Sequence, residues 1–425
     1  MFRLLFVPLL SLTSALLLAS EIPRTLDIRG AQKQALEGNP DIRVLKRSLE
    51  ELRATASRSR SKYFPTLGVA GGADVDKQAT AGNVHGVGYL YGTYNLYKGN
   101  EDSNRAEMSD IEADKVEFRL RQLEFRVGRD VEKYFDLFLL KKNAIQRKEE
   151  AIRLNEVHEK AARDRRGTGL VSHSDVLEFD LRESILRSEV TLLEQELKEA
   201  KTNLQQILGE EKELAAEPQG ELHQSSIKGS VSDFLSRVKT GNENVVLIAR
   251  DLNLAEIESK IATSHWLPQL DLEARVGYLP QRTDGTGVGY SGLVLAKIDL
   301  FSGFDTLWEK RASQAKKQGF EAKLSRELLS AQRQIEILLG KIRAIEVRAD
   351  LEKQNEVRAK KYYESVLSEY KRGIKSSSDV KNAAEALLNS GLRREEFKYQ
   401  FIADRIELEK TIGSPVEVVA QEEKR

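Results

Sequence analysis

The stretch SHWLPQLDLEARVGY, residues 264–278, predicts the point at which a helix gives way to a β-strand. Apolar spacing is helical before it, and the residue preceding Pro268 is pushed away from the helical region. After Pro268, apolar and polar residues alternate from Gln269 to Tyr278, which is typical of a strand with two different faces. A similar phrase, SKYFPTLGVAGGADV, occupies residues 61–75. The chain therefore makes the same switch twice.

The switch recurs because the sequence consists of two similar halves. GNPDI at 38–42 matches GNENV at 241–245, a spacing of 203 residues (241 − 38), and NLYKG at 95–99 matches DLFSG at 299–303, a spacing of 204 (299 − 95). Self-similarity at a fixed spacing indicates a repeated architecture. We predict a first repeat over 21–208, a linker over 209–230, a second repeat over 231–413 and a charged tail over 414–425.

Each half predicts a helix, a β-hairpin, a long helix and a returning helix. The first helices are expected at about 27–63 and 232–265, the strands at about 66–76, 86–97, 269–279 and 288–300, and the long helices at about 101–164 and 303–371. Apolar residues of the second long helix step by four and three, as in a coiled-coil heptad: they are Leu324, Leu328, Ala331, Ile335, Leu338, Ile342, Ile345 and Ala349. The fold class is mainly α with a small β part.

Composition and the first residues indicate an exported protein with exposed helices. Charged residues make up 32% of the chain, and the 67 basic and 67 acidic residues cancel, so net charge points to no nucleic-acid partner. MFRLLFVPLLSLTSALLLAS, residues 1–20, predicts a signal peptide, with a short membrane helix as the alternative. The absence of cysteine excludes disulfides, thiolate metal sites and a lipid-modified cysteine.

The alternating strands favour a membrane hairpin in each half. One face of the second hairpin is apolar, whereas the other carries a charged set: Asp271, Glu273, Arg275, Lys297 and Asp299. A charge facing lipid costs about 2 to 4 kcal/mol near the bilayer midplane, so the charged face is predicted to line a water-filled lumen. Four strands cannot close a barrel alone, and open edges are not tolerated in hydrocarbon, so several chains would pool their strands. A dimer would supply eight strands and a trimer 12, and both numbers are allowed for barrels. A soluble sheet on a helical stalk is the alternative.

The doubled plan, with NPDI, YFP, NLYKG and glycine-containing helix turns, resembles the TolC family of outer-membrane efflux proteins. The resemblance implies a homotrimer in which each chain gives four strands to a 12-stranded barrel in the outer membrane and long helices to a periplasmic α-helical barrel. It implies a passive exit channel of a tripartite efflux or type I secretion system, with a periplasmic adaptor and an inner-membrane transporter as partners. It implies no enzymatic activity and no cofactor.

The resemblance also places a periplasmic gate at the two helix turns. The acidic positions correspond to Asp175 and Asp379, the tyrosine position to Tyr370 and the arginine position to Lys375, while Asn382 replaces a second acid. Lysine keeps the charge but loses the bidentate geometry of arginine. Both aspartates also have capping-box spacing behind a serine, so capping and gating remain open alternatives. Gly169 and Gly373 are predicted to allow the tight turns.

Other functions find little support in the sequence. The five histidines form no metal-binding motif, and GTGVG at 285–289 lies between predicted strands instead of before a helix, so neither an enzyme nor a phosphate site is predicted. A periplasmic coiled-coil scaffold or adaptor is the alternative to a channel. The sequence does not identify the transported substrate.

Overall fold

The chain is described by a computed structural model that covers residues 25–75, 84–167, 172–210, 214, 216–223, 225–280, 286–298, 300–301 and 303–420. The signal-peptide prediction lies outside these residues. The helices are α1 (Ile28–Gly38), α2 (Pro40–Ser59), α3 (Glu101–Gly167), α4 (His173–Leu208), α5 (Val231–Gly241), α6 (Glu243–Ser264), α7 (Asp305–Lys371) and α8 (Ser377–Ile412). The strands are β1 (Thr25–Leu26), β2 (Thr66–Val75), β3 (Val84–Lys98), β4 (Glu217–Pro218), β5 (Ser225–Ile227), β6 (Gln269–Pro280), β7 (Thr286–Lys297) and β8 (Val418–Ala420).

The two halves have matching elements, which confirms the predicted duplication. Helices α3 and α7 each contain 67 residues, and α4 and α8 each contain 36. At 1.5 Å per residue, α3 and α7 are each about 100 Å long. The predicted heptad of α7 is the packed face of that helix, since Ile335, Leu338 and Ile342 are buried. None of the helices in the described ranges is both long and apolar enough to cross a membrane.

The prediction of one continuous helix at the start of each half was wrong. Asn39 separates α1 from α2 and Asn242 separates α5 from α6, each with an extended backbone and a side chain that accepts hydrogen bonds from the following amides. In the first half Pro40 occupies the first helical position, where its missing amide proton costs nothing. Asparagine is favoured as an N-cap, so the repeated Gly-Asn pair ends one helix and starts the next.

The two hairpins join into one four-stranded antiparallel sheet. Its strand order is β2-β3-β6-β7, and β3 pairs with β6 across the two halves. Within β3, the register shifts between Asn95 and Tyr97. The outer strands β2 and β7 each pair on one side within the described part of the chain. The four predicted strands are confirmed, whereas the sequence did not predict that β3 of one hairpin pairs with β6 of the other.

Two smaller sheets tie the linker and the C-terminal segment to the core. Strand β4 pairs in parallel with β1, and β5 pairs in antiparallel fashion with β8. The linker also contributes the buried side chains Leu214 and Leu222. The main apolar cluster runs along α3, α7 and α8 and includes Phe135, Ile335 and Ile406. Linker and tail are therefore packed parts of the fold.

In each half, two glycine-containing segments cross in close contact. Gly38 meets Leu208 and Gly209 in the first half, where a Cβ on Gly209 would lie 2.5 Å from the carbonyl oxygen of Gly38. In the second half Gly241 meets Gly413 in the same way. Gly209 and Gly413 both have left-handed backbones, with φ of +71° and +76°. The repeated Gly-Asn motif and the matching pairs Leu208-Gly209 and Ile412-Gly413 thus bring the start and the end of each half together.

Candidate functional site

The candidate gate lies at two turns, the first tip between α3 and α4 and the second tip between α7 and α8. Helices α4, α5 and α8 all begin with the pattern Ser-x-Ser-Asp and all have a capping box. In each box the serine hydroxyl accepts from the aspartate amide and the aspartate accepts from the serine amide, as in Ser172 to Asp175 at 3.0 Å and Ser376 to Asp379 at 2.9 Å. Capping is therefore a role of both predicted acids.

Asp175 has a second role that joins the two tips. While its Oδ2 caps α4, its Oδ1 accepts a hydrogen bond from the hydroxyl of Ser377, at the start of α8. Hydrogen bonds from Ser377 and Ser172 hold the pKa of Asp175 below its ordinary value. No such contact between halves is seen for the matching Asp233 of α5 within the described residues. The two interpretations of Asp175 are thus compatible, because separate oxygens serve them.

Asp379 has a more exposed environment. The backbone amide and hydroxyl of Ser376 lower the pKa of Asp379, with a smaller contribution from Lys375. The Lys375 ammonium lies 3.9 Å from Oδ1 of Asp379, at the limit of a salt bridge. The second tip turns at Gly373, whose φ is +79°, whereas Gly169 of the first tip lies outside the described residues. Gly373 thus has the geometry expected of a turn glycine.

Tyr370 is held by an arginine that sequence reasoning missed. The guanidinium of Arg165 lies 4.6 Å from the centroid of the Tyr370 ring and donates to the carbonyl oxygens of Tyr370 at 3.0 Å and Lys371 at 3.3 Å. Tyr370 is buried, and its hydroxyl forms no hydrogen bond with Asp175. Arg165 therefore caps the C-terminal end of α7 from the neighbouring helix, where a cation is favoured by the helix dipole.

A buried polar pair lies behind the tips. Nε2 of His158 in α3 is 2.8 Å from the hydroxyl of Tyr363 in α7, and the His158 ring packs near Phe179. Burial lowers the pKa of His158, and the positive charges of Lys371 and Arg182 lower it further. His158 is therefore neutral at pH 7. This contact was not predicted from the sequence. Two aromatic residues with polar atoms, at packed positions of two neighbouring helices, could have indicated a hydrogen bond between them.

The sheet register places the predicted charged residues on one face. Asp271, Glu273 and Arg275 alternate along β6, and Lys297 pairs with Gln269 of that same face. Asp299 lies outside the described residues. Arg275 forms a salt bridge with Glu273 and lies 5.4 Å from the centroid of the Tyr89 ring. The charges on this face are thus partly paired with each other and with aromatic side chains of the adjacent strand.

The opposite face of the sheet is apolar and exposed. It includes residues from all four strands: Leu67, Val69, Leu90, Leu272, Val276, Val288, Tyr290 and Val294. Such a continuous apolar face on a water-soluble protein would mark an interaction surface. Together with the charged face, it gives the sheet one apolar side and one charged side.

Comparison with known proteins identifies the family. The model of the outer membrane efflux protein family matches residues 31–210 and 235–414, one match for each half. The chain belongs to the outer membrane efflux protein family. Its function is therefore that of an outer-membrane exit channel for efflux, with the helices in the periplasm, and not that of an enzyme. A search of curated proteins gives no match.

Three solved membrane proteins share the fold. The outer membrane protein VceC from Vibrio cholerae is 16% identical, with 92% of this chain and 97% of that chain covered at a TM-score of 0.78. CusC is also 16% identical, with coverage of 92% and 93% and a TM-score of 0.79. The open state of the MtrE channel of Neisseria gonorrhoeae is 15% identical, with coverage of 92% and 89% and a TM-score of 0.74. Each likeness thus covers about nine-tenths of this chain.

Proposed function

We propose that three copies of this chain form one passive exit duct that receives substrates from a periplasmic adaptor and an inner-membrane transporter. The observation that carries the pooling of several chains is the four-stranded sheet, which has an apolar face, a charged face and two outer strands. The number three is proposed because channels of this family are known as trimers. Unpaired strand edges cost several kcal/mol per amide in hydrocarbon, so the sheet needs partners at β2 and β7. Three sheets give 12 strands, and the charged face, with Asp271, Glu273 and Arg275, lines the lumen.

The trimer is tested with purified, detergent-solubilised protein. Mass measurement should give three chains per particle, and the protein should form discrete conducting channels in planar lipid bilayers. A soluble monomeric rod that needs no detergent would contradict the proposal and favour the scaffold alternative.

We further propose that the contact between Asp175 and Ser377 helps to hold the periplasmic entrance closed. It links the first tip to the second, and Arg165 adds a second link through the carbonyl oxygens of Tyr370 and Lys371. If α7 and α8 move away from α3 and α4 when the entrance opens, both links must break. A hydrogen bond to a charged group is worth about 1.5 to 3 kcal/mol, so each link is strong enough to shift a closed–open equilibrium.

The gate is tested by Ser377→Ala, which removes the link while both capping boxes stay intact. The variant should spend several-fold more time in the open level in planar bilayers, because each chain of the trimer loses one link. Ser378→Ala is the matched control, since this adjacent serine forms no side-chain hydrogen bond with the first tip among the described residues. Equal open times for the two variants would refute the role of this contact.

A further inference from the structure

A recess lies between α2 and α3 near the sheet. Its volume is about 660 Å³, and it is lined from α2 and the turn that follows by Leu52, Arg58 and Lys62, and from α3 by Asp102, Arg105 and Met108. The recess lies within a few residues of Thr66, where β2 begins. It thus occupies the junction between the helical part and the sheet.

The recess is connected to the charged face of the sheet through Asp102. Asn95 of β3 pairs with Asp271 in the register and so shares its face. The side-chain amide of Asn95 donates to Asp102 at 2.7 Å, and Asp102 lines the recess. If Asp271 faces the lumen, as proposed above, the recess is part of the lumen wall.

The other flank of α3 contacts α1. Asp110 and Gly128 are 18 residues apart (128 − 110), which is five helical turns, so they lie on one flank. The carbonyl oxygen of Gly128 accepts a hydrogen bond from Gln32 of α1. On the same side, Arg60 forms a salt bridge with Asp110 at 2.7 Å. Helix α1 and the recess therefore lie on opposite sides of α3.

The recess has an excess of positive charge. Among its lining charges, Glu112 forms a salt bridge with Lys115 at 3.1 Å and Arg105 forms one with Glu101 at 2.6 Å. Asp102 keeps its negative charge beside the neutral amide of Asn95, so Arg58 and Lys62 outnumber it two to one. Arg58 and Lys62 are exposed, and within the described part of the chain their side chains form no salt bridge. By contrast, Arg53 and Arg60 on the opposite flank of the same segment pair with Glu117 and Asp110.

We propose that this recess is a transit site for anionic amphiphilic cargo. Arg58 and Lys62 would bind a carboxylate, sulfonate or phosphate group, with the guanidinium able to donate two parallel hydrogen bonds. Leu52 and the flexible side chain of Met108 offer an apolar surface for the body of the molecule. Binding is weak, because a conducting site must release its occupant. The inference rests on the proposed channel, since it is that function which places the recess in the lumen.

The test compares two double variants that lose the same charge. In planar bilayers, a naphthalenesulfonate added on the barrel side should block the current through the wild-type channel, whereas naphthylmethylammonium should block it much less. Arg58→Gln with Lys62→Gln should weaken the sulfonate block by at least about tenfold, because the loss of a single charge-assisted hydrogen bond already has about that effect. The same variant should shift ion selectivity towards cations in a salt gradient. Arg53→Gln with Arg60→Gln should keep the wild-type block.

The outcomes separate the recess from the channel. Equal block of the two double variants, or equal block by the anionic and cationic probes, would overturn the transit site while the channel stands. Failure of the wild type to conduct at all would overturn the proposed function itself.

Discussion

Replacement of Gly413 by alanine should destabilise the protein much more than replacement of Gly373 by alanine. Both glycines have left-handed backbones, with φ of +76° and +79°. A Cβ at Gly373 would meet no atom within 4 Å, whereas a Cβ at Gly413 would overlap the carbonyl group of Gly241. Both variants therefore place a Cβ on a left-handed backbone, but only Gly413→Ala also creates a steric clash.

The magnitude follows from these two contributions. The left-handed conformation costs a residue with a Cβ about 1 to 2 kcal/mol, which applies to both variants. Forcing extra volume into a packed site typically costs about 1 to 3 kcal/mol more, and the obstacle at Gly413 is backbone, which cannot rotate away. We expect a total of about 2 to 5 kcal/mol for Gly413→Ala. The clash alone should place its melting temperature about 1 to 3 °C below that of Gly373→Ala, because the unfolding entropy of a chain this long is large.

Thermal unfolding in detergent, followed by far-ultraviolet circular dichroism, measures this difference. Gly413→Asn provides the control, because asparagine tolerates the left-handed conformation but still places a Cβ against Gly241. It should remain as destabilised as Gly413→Ala. Recovery of stability by asparagine, or equal melting temperatures for the alanine variants at Gly413 and Gly373, would refute the crossing as a packing constraint.

Two further predictions concern pH. Burial, and then the charge of Glu132, raise the pKa of Asp136 from 3.8 to about 7. Between these pH values the folded protein keeps a proton that the unfolded chain loses. The free energy of unfolding therefore falls by at most about 4 kcal/mol as pH rises from 3.8 to 7. In Asp136→Asn the melting temperature should fall less between pH 3.8 and 7 than in the wild type. Parallel plots of melting temperature against pH for the two proteins would contradict this role of Asp136. His158 has a pKa below 6.5, so the unfolded chain binds its proton first and stability is lost as pH falls below 6.5. In His158→Gln the glutamine can still face Tyr363 but does not titrate, so this variant should lose less stability below pH 6.5 than the wild type. An unchanged dependence of melting temperature on pH in this range would contradict the role of His158.

The positions of the long elements were predictable because local patterns determine them. The heptad of α7 and the alternation of β6 depend on residues close in sequence, and their periods of 3.5 and 2 differ enough to be told apart. The capping-box spacing, Ser-x-x-Asp, likewise predicted where α4 and α8 begin, since a capping box forms between residues three positions apart. The break at Asn39 was missed because helical apolar spacing continues on both sides of it.

The tertiary structure decided which of these local elements meet. Asp175 and Asp233 have the same capping pattern, yet Asp175 alone of these two reaches Ser377, 202 residues away. The sequence determined by itself the duplicated plan, the helices, the strands and their polar and apolar faces, because each arises from short-range periodicity and capping. The link between the tips, the glycine crossings and the side of α3 on which Arg58 lies depend on how distant helices pack, and no local pattern contains that information.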